Sequence, residues 1–195
     1  MTSIDCTKVS RTLTLRSIVV SSIEFLRDRS ELLFYELESI AKVQIELIQR
    51  ENILVRGGIA IGALVKSWGL VYGDALVKAY ELEEKATHPR VLIHPELVVL
   101  LRDLSSEGNH DIEINQLVAR DHGLSYVDYL RYRTRLTDWN EQAEFFRLHK
   151  QLVEQGLAGF SSHPRIRAKY RWLKGYHNSR VPKIPQPDFE DLKIV

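Results

Sequence analysis

The stretch from Arg50 to Arg90 constrains the fold most, because strand, turn and helix patterns follow one another within it. Residues Ile53–Ile61 are rich in Ile, Leu and Val, and the pair Gly57-Gly58 interrupts this apolar run. Residues Trp68–Tyr72 form a second short apolar run. Two such runs with glycine between them are typical of a β-hairpin.

A helix pattern follows the predicted hairpin directly. Asp74 can cap a helix that runs to about Ala86. Four small or apolar residues fall on one narrow face of that helix at helical spacing: Ala75, Ala79, Leu82 and Ala86. Because small side chains let a helix lie close to a sheet, and because Arg90–Ile93 reads as another strand, we expect the order strand, hairpin, helix, strand.

The remainder of the chain alternates further elements around this unit. The apolar pattern predicts strands at Thr12–Ser22, Ile112–Ala119 and Leu124–Tyr129. It predicts helices from Asp28 or Ser30 to Gln49, over Leu97–Leu104, from Thr137 to about Gln155, and from Pro164 to about Tyr176. We therefore expect an α+β sheet domain followed by a helical pair, with a proline-containing extended tail over 180–195.

Composition excludes several classes of protein. The 195 residues suffice for one domain with a sizeable core and an appendage. The net charge of +1 favours neither nucleic acid nor membrane as a partner. The single cysteine, Cys6, allows no internal disulfide, and no apolar run approaches the ~20 residues of a membrane span. The sequence thus predicts a cytoplasmic protein without a membrane or nucleic-acid partner.

The order of motifs in the central stretch resembles the second half of a class III nucleotide cyclase domain. R-G-G-I-A-I-G is followed by a spacer and then by Y-G-D-A-L-V-K-A-Y-E-L-E. In that family a glycine-containing β-hairpin leads into a helix with a G-D-A-V-N-x-A-A-R-L-E type of pattern. The positions that match it are Gly73, Asp74, Ala75, Ala79, Leu82 and Glu83. The similarity is closest to a bacterial branch of cyclase-like proteins and extends more weakly from about Thr12 to Leu130.

The resemblance implies a ferredoxin-like, nucleotide-cyclase-type sheet with helices that is incomplete at its N-terminus. The expected organisation is a cyclase-like domain over 12–130, a C-terminal helical extension over 131–179 and the tail over 180–195. Members of the family work as head-to-tail dimers, so the resemblance also implies a homodimer or a complex with another protein chain.

The residues that cyclase chemistry requires are replaced. The family uses two divalent metals held by carboxylates. T-L-R-S-I-V-V-S matches the family's F-S-D-S-I-V-I-S strand, so Arg16 stands where a metal-binding Asp is expected, and a guanidinium cannot bind a cation. Only fifteen residues precede Arg16, which leaves no counterpart of the family's first metal-binding strand. We expect no metal site and no cofactor.

The helix after Asp74 departs from the family in the same way. The family has an Asn and, four residues later, an Arg on one helix face. Val77 and Glu81 occupy these positions. Val donates no hydrogen bond and Glu adds negative charge where phosphate charge must be stabilised. Losing one such preorganised donor typically costs ~10²–10³ in rate, so we expect no autonomous cyclase activity and assign no catalytic residue.

Five residues remain candidates for nucleotide or phosphate contacts: Arg56, Gly57, Gly58, Asp74 and Lys78. Each has a structural alternative. The glycines can mark a bulge or a close crossing in a sheet, Asp74 can serve as a helix cap, and the basic residues can be solvated. The basic run from Arg165 to Lys174 can likewise be a solvated helix face rather than a phosphate contact.

The sequence therefore predicts a catalytically inactive cyclase-like protein that acts as a binding or interaction module, with a nucleotide as a possible ligand. The alternative is the C-terminal part of a nucleotide cyclase with a misplaced start, which would make a cyclic nucleotide from a nucleoside triphosphate.

Overall fold

The computed structural model describes residues 29–67, 70–108, 116–136, 139–181 and 191–195 of the chain. The predicted strand over 12–22 lies outside these residues, and so does Arg16. The described part is an α+β protein. Its elements are α1 (Arg29–Glu51), β1 (Gly57–Ile59), β2 (Val65–Ser67), β3 (Leu70–Tyr72), α2 (Asp74–Lys85), β4 (Val91–Ile93), α3 (Pro95–Gly108), β5 (Val118–Asp121), β6 (Leu124–Val127), α4 (Tyr129–Leu136), α5 (Trp139–Gly159) and α6 (Pro164–Arg180).

Four strands form a mixed sheet in the order β1-β4-β6-β5. β1 pairs with β4 in parallel, with Gly57 opposite Val91. β6 is antiparallel to both of its neighbours, β4 and β5. The turn between β5 and β6 is His122-Gly123, whose φ angles of 50° and 78° are both positive. Two consecutive positive φ angles are typical of the two-residue type I′ turn, which matches the twist of the flanking strands.

The predicted hairpin differs from the observed pairing. The apolar run around Ile59 does not pair with Leu70–Tyr72, because it forms β1 and joins β4 instead. β3 pairs with β2 in a separate two-stranded sheet, in which Val65 lies opposite Tyr72 and Ser67 opposite Leu70. We call this two-stranded sheet the ribbon. The physical reason is burial: Val91, Leu92 and Ile93 of β4 are all buried, and pairing with them places β1 beside the core.

The close contact between helix α2 and strand β1 depends on Gly58 of the strand as well as on the alanines of the helix. A Cβ atom at Gly58 would overlap the carbonyl oxygen of Ala79 and would lie 2.7 Å from Leu82 Cβ. The helix backbone can approach the strand this closely because Gly58 has no side chain. Leu82 and Ala86 on the same face of α2 are buried in the core.

One hydrophobic core connects the sheet with the helices around it. Helix α1 contacts α3, α4, α5 and β6, and it buries a stripe of apolar residues at helical spacing. That stripe contains Leu33, Leu37, Ala41, Ile45 and Ile48. No helix of the described residues is long and apolar enough to cross a membrane.

The strand predicted over Leu124–Tyr129 ends at Val127, because a helix that the sequence analysis did not predict begins at Tyr129. The Asp128 carboxylate accepts a hydrogen bond from the backbone N–H of Arg131 at 3.2 Å, which is how a capping Asp satisfies a free amide in the first turn. The helix that follows is α4, and it contacts α1.

The helical pair after α4 is confirmed as two helices, and α5 and α6 pack against each other. Residues 191–195 also pack against the core, with Leu192 and Ile194 buried. The Asn178 side chain bonds both the N–H and the carbonyl of Ile194, each at 2.9 Å. This pair of bonds fixes the segment beside α6.

Candidate functional site

Arg56, the first candidate phosphate contact, is bound to a carboxylate of its own chain. Its Nε atom donates to Glu83 Oε1 at 2.6 Å, and Nη2 contacts the same oxygen. Its Nη1 atom donates to the carbonyl of Ala86 at 3.3 Å. Arg56 therefore ties the entry of β1 to the C-terminal end of α2, where a cation is favoured by the helix dipole.

Lys78, the second basic candidate, lies between two carboxylates. Its Nζ atom is 2.9 Å from Asp74 Oδ2 and 3.0 Å from Glu96 Oε2. Hydrogen bonds to Asp74 and then to Glu96 raise the pKa of Lys78 above its usual value. The ammonium joins the start of α2 to the start of α3, so an incoming phosphate would compete with two carboxylates for it.

Asp74 does not cap α2. The cap position belongs to Gly73, whose φ of 147° is accessible to glycine and strained for other residues, and no side chain bonds the free amides there. Asp74 is the first residue of the helix, where a negative charge is favoured by the dipole. Its interaction is the ion pair with Lys78.

The two glycines have different surroundings. A Cβ at Gly58 would overlap α2, which supports the close-crossing interpretation for this glycine. A Cβ at Gly57 would meet Val91 at an ordinary 3.7 Å. The backbone of β1 at Gly58 is covered by α2 and does not form an open cradle for phosphate.

The two positions at which the resemblance to cyclases implies an Asn and an Arg lie together on the outer side of α2. Val77 is 56% exposed, and Glu81 is exposed as well. Tyr80, on the same side, is also exposed. The structure thus brings Arg56, Asp74 and Lys78 to α2 with their charges paired. Within the described residues, no group of three or more His, Cys, Asp and Glu side chains is placed to bind a metal ion.

A second cluster, which the sequence analysis missed, surrounds the buried Arg90. Its Nη1 atom donates to Asp121 Oδ2 at 2.8 Å, and its guanidinium lies over the rings of Tyr126 and Trp172. Trp172 Nε1 donates to the same Asp121 oxygen at 3.0 Å. The pKa of Asp121 is lowered, although burial acts to raise it; the hydrogen bonds from Trp172 and His122 and the charge of Arg90 outweigh the burial.

His88 closes this Arg90 cluster on one side. Its ring stacks on Trp172 at a centroid distance of 5.2 Å. Burial, followed by the charge of Arg90, lowers the pKa of His88. Because these residues join the segment just before β4 to β5, β6 and α6, the cluster fixes the helical pair on the sheet, and we assign it a structural role.

A third cluster centres on Asp128, whose side chain is fully buried. Its Oδ1 accepts from the Tyr176 hydroxyl at 2.8 Å and its Oδ2 from Arg180 Nε at 2.7 Å. The Tyr176 hydroxyl in turn accepts from the backbone N–H of Leu130 at 3.2 Å. Burial and the Asp128 charge raise the pKa of Tyr176, so its hydroxyl stays a donor to the carboxylate.

The ribbon exposes an apolar face. Val65, Leu70 and Tyr72 all lie on one side with Ser67, because opposite residues of an antiparallel pair share a face and side chains alternate along each strand. Leu70 is 63% exposed and Tyr72 51%. In the sequence, only the alternation of the apolar residues could have indicated this face. The face was missed because the predicted hairpin paired Leu70–Tyr72 with Ile53–Ile61 instead of with Val65–Ser67.

Comparisons with known proteins identify no relative. A scan against protein families, a search of curated proteins and a search of solved structures each found no match to this chain.

Proposed function

We propose that this chain is a cyclase-like protein without cyclase activity, and that it acts by self-association through the ribbon. The observation that carries the proposal is the exposed apolar face of Val65, Leu70 and Tyr72. The cyclase part rests on the residue pattern from Arg56 to Glu83. The direct pairing of β1 with β4 is that of a simple βαβ unit, whereas a ferredoxin-like sheet separates its parallel strands, so sheet order lends the cyclase assignment no support.

The ion pairs support a role other than nucleotide turnover. The guanidinium of Arg56 is held by Glu83 and the ammonium of Lys78 by Asp74 and Glu96. A nucleoside triphosphate would have to displace these carboxylates before either cation could bind its phosphates. Val77 and Glu81 offer no compensating hydrogen-bond donor on the outer side of α2.

The geometry of the ribbon favours a second copy of the chain as its partner. A two-stranded antiparallel sheet is marginally stable in water on its own, and an unpaired edge is a template for another strand. A two-fold axis beside Val71 would pair β3 with β3 of the second copy. This arrangement gives a four-stranded sheet and continues the apolar face across the interface.

Sedimentation velocity at micromolar concentration tests the proposal. We expect the wild-type chain to be a dimer and the variant Leu70→Asp, Tyr72→Asp to be a monomer. The matched control is Val43→Asp, Val99→Asp, which places the same charges at two exposed apolar residues of α1 and α3 and should remain dimeric. A monomeric wild-type chain, or equal dissociation of both variants, would refute the proposal.

A further inference from the structure

Helix α6 carries an unusual segregation of charge. Its sequence, PRIRAKYRWLKGYHNSR, contains no Asp or Glu. Its six permanent cations are Arg165, Arg167, Lys169, Arg171, Lys174 and Arg180. The net charge of the whole chain is only +1, so the excess of positive charge is local and is compensated elsewhere on the molecule.

Among the described residues, five of these six cations make no ion pair with a carboxylate. The exception is Arg180, which is bound to Asp128. The Nε atom of Arg167 is buried without a hydrogen-bond partner among those residues. An unpaired cation is most costly near the N-terminal end of a helix, where the dipole is positive, and Arg165 and Arg167 lie in the first turn of α6. An external anion bound there would offset the repulsion between these cations and the positive end of the helix dipole.

Three of the cations form a row along one flank of the helix. The inner side is defined by the buried residues Leu173, Tyr176 and His177. Arg167, Arg171 and Lys174 follow one another at i, i+4 and i+7 beside that side, with Arg171 exposed and the other two half-buried. At ~1.5 Å per residue the row is about 10 Å long. Phosphates along one strand of DNA are ~3.4 Å apart along the helix axis. The length of the row therefore equals about three phosphate spacings, and it carries three cations.

The aromatic residues of α6 are already engaged. Trp172 stacks on His88 and on Tyr176, and Tyr170 stacks on Phe160. Proteins that bind single strands use aromatic rings as platforms for unpaired bases. The row of Arg167, Arg171 and Lys174 instead presents charge alone, which suits the phosphate backbone of a duplex.

We propose that the flank of α6 formed by Arg167, Arg171 and Lys174 binds the phosphate backbone of double-stranded DNA without reading its sequence. Contacts of this kind determine position and affinity and carry no direct sequence information. They release counterions, so the affinity must fall steeply as the salt concentration rises. The proposal goes beyond self-association through the ribbon and uses a different surface.

Fluorescence anisotropy with a short labelled DNA duplex, titrated at several salt concentrations, tests this inference. For the variant Arg167→Ala, Arg171→Ala, Lys174→Ala we expect at least a tenfold loss of affinity at low salt. We expect the slope of log K against log salt to become shallower by about 2.7, which corresponds to three lost phosphate contacts. The pair Arg171→Ala, Lys174→Ala leaves the half-buried Arg167 in place and should lose about two thirds of that slope.

The matched control removes three exposed cations from other elements: Lys85→Ala, Arg120→Ala, Arg147→Ala. It changes the net charge equally and should bind the duplex nearly as the wild-type chain does. The inference is overturned if the control loses as much affinity as the α6 variant. Equal or tighter binding of single-stranded DNA, duplex RNA or a polyglutamate peptide at the same salt concentration would also overturn it.

Discussion

The imidazole rings of His149 and His177 stack face to face, with centroids 5.1 Å apart and Nδ1 atoms 3.0 Å apart. The surrounding bonds determine which nitrogen carries each proton. His177 Nε2 donates to the carbonyl of Leu192 at 2.8 Å, so its Nδ1 accepts from His149 Nδ1. His149 Nε2 then accepts from the Tyr129 hydroxyl at 2.8 Å. Both rings are neutral in this chain of bonds, which joins α4, α5, α6 and the segment at 191–195.

This histidine pair predicts a loss of stability in acid. Burial, with the neighbouring His177 as a smaller cause, lowers the pKa of His149 to about 3. Burial also lowers the pKa of His177, with Lys150 acting in the same direction and the bond to Leu192 opposing it. Both folded values lie below the unfolded value of 6.5, so the stabilisation is complete above pH 6.5 and is lost progressively as the pH falls from 6.5 to the folded values.

Urea unfolding at about pH 7.5 and about pH 5 measures this effect. A histidine that stays neutral in the folded state loses ~1.4 kcal/mol per pH unit below its unfolded pKa, so His149 alone should account for about 2 kcal/mol. His149→Gln should reduce the pH dependence by about that amount. His163→Gln, at an exposed histidine, should leave it unchanged. An equal pH dependence in all three proteins would contradict the prediction.

The crossing of α2 and β1 predicts different costs for two adjacent glycines. Gly58→Ala places a methyl group against Ala79 and Leu82 and should destabilise the fold by ~1–3 kcal/mol or more. Gly57→Ala meets Val91 at 3.7 Å and should cost well under 1 kcal/mol. Denaturant unfolding of the two variants compares them directly. A larger cost at Gly57 would mean that α2 does not cross β1 at Gly58.

Removing the charge of Asp128 should destabilise the junction between the sheet and α6. Asp128→Asn leaves the Tyr176 hydroxyl and the partly buried Arg180 without their carboxylate, at a cost of about 3 kcal/mol. Asp74→Asn removes an exposed carboxylate whose partner Lys78 keeps Glu96, and it should cost far less than Asp128→Asn. Similar midpoints of thermal unfolding for the two variants would argue against the role of Asp128.

The purified chain should make no cyclic nucleotide from ATP or GTP with Mn²⁺ or Mg²⁺ above a control without protein. In the proposed resemblance to cyclases, Arg16 stands where a metal-binding carboxylate is expected, and Arg56 and Lys78 are held by carboxylates. Val77→Asn with Glu81→Arg should be nearly neutral for stability, since both residues are exposed, and should not create activity. Metal-dependent turnover that disappears in Asp74→Ala would support the alternative of a cyclase fragment.

Local signals in the sequence located most helices, because capping residues and apolar spacing act within one segment. The small residues of α2 correctly predicted a helix that lies close to a strand. The pairing of β1 was predicted wrongly, since Ile59 fits a hairpin with Leu70–Tyr72 or a parallel pair with Val91–Ile93 equally well on local pattern. Tertiary burial decides between the two.

The polar clusters could not be predicted from local sequence either, because they depend on tertiary packing. Arg90 and Asp121 carry no motif, and their pairing depends on a turn that brings β5 back beside β6. Asp128 reads as part of a strand until its carboxylate is seen to cap α4. The ion pairs of Arg56 and Lys78 likewise depend on where α2 and α3 begin and end, which the sequence alone places only approximately.

The Asp121 carboxylate has a consequence for the order of folding events. It binds Arg90, 31 residues before it, and Trp172, 51 residues after it. Closing loops of this length costs conformational entropy before the contact stabilises the chain. Such non-local contacts therefore slow folding. Until α6 packs against the sheet, the guanidinium of Arg90 must stay hydrated at the edge of the sheet. The loss of that water should therefore coincide with the docking of the helical pair, so that sheet and helices reach their final packing in a single late step.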